Sequence, residues 1–158
     1  MLTSSIGYMI LRTFPESLVT IFCGMLLMGI KLDNKEILKK GFLLGVIVIA
    51  IRSLPINFGV HTILSMIALG IMLYKMSNGD LLRTVISTCL FFIALAMSEG
   101  IYIFIATSLL NIPIEILTNQ DGPISAIRTL PSLLIAIGIV FLLKKIVMEN
   151  VNQYIKRG

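Results

Sequence analysis

Apolar residues in this chain come in long runs rather than in the narrow stripes of an amphipathic helix or the alternation of a half-buried strand. Five segments stand out, at 15–30, 37–51, 60–74, 81–99 with an extension to 111, and 130–147. Segments two and three are short against the ~20 residues that cross ~30 Å of hydrocarbon. Local thinning of the bilayer or snorkelling of flanking Lys and Arg absorbs such a difference at modest cost. The fourth run is long, and reads as one helix or as two elements broken at Ser98-Glu99-Gly100. Turn chemistry punctuates the rest. Asn78-Gly79-Asp80 predicts a tight turn with Asp80 capping the next helix, and Pro113, Gly122 and Pro123 mark a loop before the last segment. Met1 to Phe14 is too short to span, and it is predicted to lie in the interface as a short helix. It lacks the basic start and small-residue cleavage site of a signal peptide.

Composition sharpens this picture. Hydrophobic residues make up 57% of the 158, and charged residues only 13%; mean hydropathy is +1.00. A soluble domain carries roughly 25% charged residues, so too little charge is present here to cover a water-facing surface. The expected fold is an all-α integral membrane protein, one domain, a bundle of about five transmembrane helices. The net charge of +5 does not point to nucleic acid, because the basic residues flank the apolar runs and form no basic domain of their own.

Charge also orients the chain. With five spans, Lys31, Lys35, Lys39, Lys40, Lys75, Arg83, Lys144, Lys145, Lys156 and Arg157 fall on one side, and only Arg12, Arg52 and Arg128 on the other. Positive residues mark the cytoplasmic side, so the N-terminus is expected outside and the C-terminus in the cytoplasm. A sixth span after Gly100 would weaken this bias. Gly100 to Asn111 is therefore expected to continue the fourth helix or to lie at the outer interface.

One pattern goes beyond hydrophobicity. Arg12-Thr13-Phe14-Pro15, Arg52-Ser53-Leu54-Pro55 and Arg128-Thr129-Leu130-Pro131 share the form Arg-[Thr/Ser]-apolar-Pro, at irregular spacings of 40 and 76 residues. Pro suits the first turn of a helix and a preceding Thr or Ser suits a cap. Each copy is thus expected to start a helix, or to end one, at the outer boundary. The acidic residues near that face are Glu16, Glu99, Glu115 and Asp121. Glu99 interrupts an apolar stretch 16 residues beyond Arg83, ~24 Å along a helix and near the level of the arginines. An ionisable group at such a depth faces the bundle interior and takes a partner, and Arg grips a carboxylate with two hydrogen bonds. Arg12, Glu16, Arg52, Glu99, Arg128 and His61 are therefore the candidate site. They form either ion pairs that pin helix ends or a pocket for a small anionic or peptide ligand. His61, the single histidine, is expected to be a helix-start polar group rather than a pH sensor.

Other chemistry is not visible. Cys23 and Cys89 lie inside apolar runs and are expected to stay free. No cofactor motif, metal-ligand set, phosphate loop or nucleophile elbow occurs, so no catalytic residue is assigned and an enzyme is not expected. Gly41 and Gly45 form a G-x-x-x-G pair that permits close helix contact, either within the chain or in a homodimer.

The strings RTFPES, IRSLPINFGVHTIL, SEGIYIF and RTLPSLL resemble the membrane-embedded N-terminal sensor regions of Firmicutes sporulation-type and quorum-sensing-type histidine kinases. The resemblance covers nearly the whole chain. It implies a multi-pass protein of a bacterial cell membrane, a sensing role, and a signal passed through the last helix to a cytoplasmic kinase or other signalling partner. The phospho-acceptor histidine segment and the GHKL ATPase half of those kinases are not in this sequence, which is expected to be either a sensor-only protein or a fragment of a longer one, so their catalysis does not carry over. The expected function is a non-catalytic membrane sensor or receptor module. Its rivals are the substrate-binding membrane subunit of a vitamin-type importer, and a structural or assembly subunit.

Overall fold

The computed structural model describes residues 6–31, 33–55, 58–109, 111–113, 127 and 129–148. The helices are α1 (Ile6–Met28), α2 (Asn34–Arg52), α3 (Phe58–Met76), α4 (Leu81–Ser108) and α5 (Pro131–Leu143), the last continued by a π-helical turn over Lys144–Met148. Among the described residues there is no strand.

Two caps work through their side chains. Asp33 accepts the Lys35 N–H at 3.0 Å and Asp80 accepts the Arg83 N–H at 3.1 Å, each satisfying a donor that the first helical turn leaves open. The α3–α4 turn closes with Asn78 at φ 56° and Gly79 at φ 91°, a left-handed pair that suits Asn and Gly and few other residues.

Several boundaries differ from expectation. The first helix does not begin at Pro15: it runs without interruption from Ile6, and Pro15 sits inside it. Met1 to Phe14 is therefore not a separate interfacial helix over its described part. In a bundle of this kind neighbouring helices and hydroxyl side chains re-satisfy the backbone that Pro frees, so an internal Pro is tolerated. The fourth segment is one helix of 28 residues, ~42 Å long, passing through Ser98-Glu99-Gly100. Ser98 keeps its hydroxyl occupied by donating to the Leu95 carbonyl at 2.7 Å.

The three Arg-Thr/Ser-apolar-Pro copies thus do three different things. In the first, all four residues are inside α1. In the second, Arg52 ends α2 and Ser53 is its C-cap, the Ser53 hydroxyl donating to the Ile49 carbonyl at 2.8 Å. In the third, Pro131 opens α5, but Leu130 occupies the cap position and no side-chain bond is made there. Thr13 and Thr129 are not the expected caps, because a four-residue pattern carries no information about the helix phase around it.

α1 is the hub, touching α2, α3, α4, α5 and the π-helical turn. The other helices form an open arc around it, in the order α2, α3, α4, α5. α1 and α2 are antiparallel, since Gly41 faces Leu18 while Gly45 faces Phe14. Gly24 of α1 packs on Leu73 of α3, so the α1–α2 and α3–α4 turns sit at the same end of the bundle. The core holds Ile21, Met25, Leu27, Leu44, Leu69, Leu73, Phe91 and Val140.

The exterior is far more apolar than that of a water-soluble domain, and small polar residues sit at the helix contacts. Leu38, Phe42, Ile63, Ile71, Phe104, Leu134 and Leu142 are all more than half exposed, whereas Thr13, Ser17, Thr20, Ser87, Ser98 and Ser132 are buried. Small polar residues at helix contacts and large apolar ones outside are what helices solvated by lipid require. α1 (over Ile10–Met28), α3 (over Gly59–Met76) and α4 are long and apolar enough to cross a membrane. α2 is broken up by Lys35, Glu36, Lys39 and Lys40, and α5 has 13 residues. Over its described residues the chain is helical and of membrane type.

Candidate functional site

Arg12, Thr13 and Glu16 occupy one turn of α1, with Arg12 and Glu16 four residues apart and so on the same face. Because α2 runs antiparallel to α1, its last residue, Arg52, arrives beside that turn. One Arg52 nitrogen straddles the Glu16 carboxylate at 3.1 and 3.3 Å, and the other donates to the Thr13 hydroxyl at 3.1 Å. From α4, Glu99 accepts a hydrogen bond from Arg12 and forms an ion pair with it. Arg12 Nε lies 3.8 Å from Glu16 Oε2. The result is a continuous chain, Glu99–Arg12–Glu16–Arg52–Thr13, that joins α1, α2 and α4.

Burial grades along this chain. Thr13 is fully buried. The Glu16 side chain is 15% exposed and that of Glu99 43%. The Arg52–Glu16 end is thus sheltered, and a charge there is poorly screened if its partner is lost. The Arg12–Glu99 end reaches the surface. Two guanidinium groups face two carboxylates, so the described cluster is electrically balanced.

Arg128, Glu115 and Asp121 lie outside the described residues. His61 sits in the first turn of α3. Gly24 packs on Leu73, and both Arg12 and His61 lie twelve residues back toward the same end, ~18 Å along their helices. His61 is therefore level with the cluster but not bonded to it; its Nδ1 is buried with no hydrogen-bond partner among the described residues.

The sequence did not single out Thr13 as the acceptor of Arg52, nor the hydroxyls of Ser17 and Thr20 buried beyond it on α1. The signal was present in the spacing of Thr13, Ser17, Thr20 and Gly24, small residues three or four apart on one helical face. Gly41 and Gly45 both point into α1. A Cβ on Gly41 would stand 3.1 Å from the Leu18 Cα, and one on Gly45 3.0 Å from the Phe14 ring. The glycine pair thus lets α2 approach α1 inside the chain, and the Phe14 and Phe42 rings stack beside it at 5.2 Å.

Chemically the cluster can hold helices together and exchange one carboxylate for another. Among the described residues no three His, Cys, Asp or Glu side chains converge on a metal-sized site. Cys23 and Cys89 are free thiols. Lys31, Asp33, Asn34, Lys35 and Glu36 line an open depression, which lies at the end of the bundle remote from the cluster.

Comparison with protein-family models, curated proteins and solved structures finds no match.

Proposed function

We propose that this chain is a non-catalytic membrane sensor module of five spans, with its N-terminus outside and its C-terminus in the cytoplasm. The observation that carries this reading is the graded ion-pair chain. It ties α1, the helix that touches all others, to α2 and α4, and at its Arg12–Glu99 end the Glu99 side chain is 43% exposed on the bundle surface. A ligand bearing a carboxylate can take the place of Glu99 on Arg12 without unmaking the sheltered Arg52–Glu16 contact. Such an exchange releases α4 from α1. A ligand acts only through unequal affinity for the tied and released arrangements, and a guanidinium that must choose between two carboxylates supplies that inequality. In this reading α1 and α5 pass the change to a cytoplasmic signalling partner, as the resemblance to sensor kinase regions implies.

The test is a thermal-shift screen of the purified protein against small carboxylates and short peptides, repeated on Arg12→Lys. Lys keeps the charge but loses the planar fork. A stabilising compound is expected for the wild type, with its effect reduced at least several-fold in the variant while the variant still folds. If no compound shifts the melting point and Arg12→Lys melts early on its own, the exchange site does not exist.

A second reading has one specific observation behind it. The balance of two arginines against two carboxylates suits a purely structural clamp, which needs no ligand. The same screen separates the two readings.

The orientation has its own check. Cysteine labelling at the C-terminus in intact cells is expected to require permeabilisation. Labelling from outside would overturn the five-span arrangement.

A further inference from the structure

The charge imbalance of the described bundle is concentrated at one end. Around the α1–α2 and α3–α4 turns stand Lys31, Lys35, Lys39, Lys40, Lys75 and Arg83 against Asp33, Glu36 and Asp80. Asp33 is engaged in capping α2 and Asp80 pairs with Arg83 at 3.1 Å. Glu36 lies about one helical turn before both Lys39 and Lys40 and offsets one charge between them. None of these lysines has a carboxylate within 4 Å among the described residues, and Lys35 and Lys39 are both exposed.

These two lysines are not on an isolated polar patch. Lys35, Lys39, Phe42 and Val46 are spaced four, three and four residues apart, which places them on one lane of α2. Phe42 is 59% and Val46 47% exposed, flanked by Leu38 and Leu43 at 63% and 49%. Phe42 is held in position by its stacking on Phe14 of α1. The lane therefore changes within ~5 Å along the axis from two exposed ammonium groups to an apolar strip anchored at Phe42.

We propose that this lane is a binding site for an anionic phospholipid, its headgroup phosphate between Lys35 and Lys39 and its acyl chain along Phe42 and Val46. The assignment rests on the membrane-spanning reading and on nothing about sensing. A second copy of the chain is the wrong occupant by charge, since a symmetric contact along the lane would set lysines beside lysines. A soluble anion satisfies the lysines but leaves the apolar strip bare. Only an amphiphile with a negative head matches both halves. Near an anionic leaflet each Lys contributes about 1 kcal/mol, so the pair favours an anionic over a zwitterionic membrane surface roughly thirtyfold.

The experiment uses the purified protein in a neutral detergent, with phosphatidylglycerol or phosphatidylcholine of the same acyl chains added in turn. Retained lipid is counted by native mass spectrometry, and melting is followed by circular dichroism. Phosphatidylglycerol is expected to be retained preferentially and to raise the melting point. Free glycerol phosphate should do neither, and the preference should fall steeply in 0.5 M salt, roughly where the screening length drops below 5 Å. Lys35→Gln/Lys39→Gln should abolish the preference, Lys35→Arg/Lys39→Arg should preserve it, and Lys75→Gln should leave it unchanged. Equal retention of the two lipids by the wild type overturns the proposal, as does a preference that survives the double Gln variant. If the Gln variant does not fold, the salt series and the Arg variant decide. If neither lipid is retained and the protein is soluble without detergent, the membrane reading itself has failed, a result distinct from loss of selectivity.

Discussion

Glu16→Gln is expected to be the most damaging single substitution in the charged cluster, costing about 2 kcal/mol, the scale of a charge-assisted hydrogen bond in a sheltered place. Glu16 is the one carboxylate that serves both arginines, straddled by Arg52 and within 3.8 Å of Arg12. An amide at that position removes the charged partner of Arg52 and leaves it the Thr13 hydroxyl at 3.1 Å. Glu99→Gln should cost less, because a Gln carbonyl can still accept from Arg12 and the Glu99 side chain, 43% exposed, serves one arginine rather than two. Arg12 also keeps Glu16 in that variant. Melting of the purified variants in one detergent checks the ranking. Should Glu99→Gln prove the more destabilising, burial does not control this network. Reversing the sheltered pair with Glu16→Arg/Arg52→Glu is expected to recover part of what either single reversal loses, since the two groups share one contact.

Gly41→Leu should destabilise the bundle by at least the 1–3 kcal/mol typical of overpacking. The Cβ alone would meet the Leu18 Cα at 3.1 Å, and that atom belongs to the backbone of α1, so it cannot step aside as a side chain does. α2 must move outward, carrying Arg52 away from Glu16 and Thr13. Gly100→Leu is the control: nothing lies within 4 Å of the position a Cβ would take there. It should melt at or above the wild type, because Gly is the poorer helix former by about 1 kcal/mol. A Gly41→Leu protein of unchanged stability that has lost a dimer on cross-linking would move the glycine pair from an internal contact to an interface between copies.

That the chain is helical and of membrane type follows from its apolar runs, because a 30 Å hydrocarbon slab sets a length and removes the water that loops need. The Asp80 cap was equally legible, since a cap and its helix are neighbours in sequence. The ionisable Glu99 in an apolar stretch announced the need for a partner, because an unpaired charge there is costly. Which arginine answers it was not legible. Arg12 and Glu99 are 87 residues apart and Arg52 and Glu16 are 36 apart, and nothing local couples such positions.

The misjudged features were those in which a local rule met a neighbouring helix. Pro15 looks like a helix start, yet α1 extends back to Ile6, past the point where hydropathy alone marks a boundary. The repeated Arg-Thr/Ser-apolar-Pro pattern suggests one job done three times. Packing gives Thr13 to Arg52, Ser53 to a C-cap and Pro131 to a helix start, because the role of a residue depends on which helix face it lands on and what lies across from it. The sequence by itself determined the helices, their apolar character and the charged groups that had to be paired. Only the tertiary structure chose the pairs, put α1 at the centre and turned Gly41 and Gly45 inward, because those outcomes depend on how close two helices approach, and that distance is set by every side chain between them.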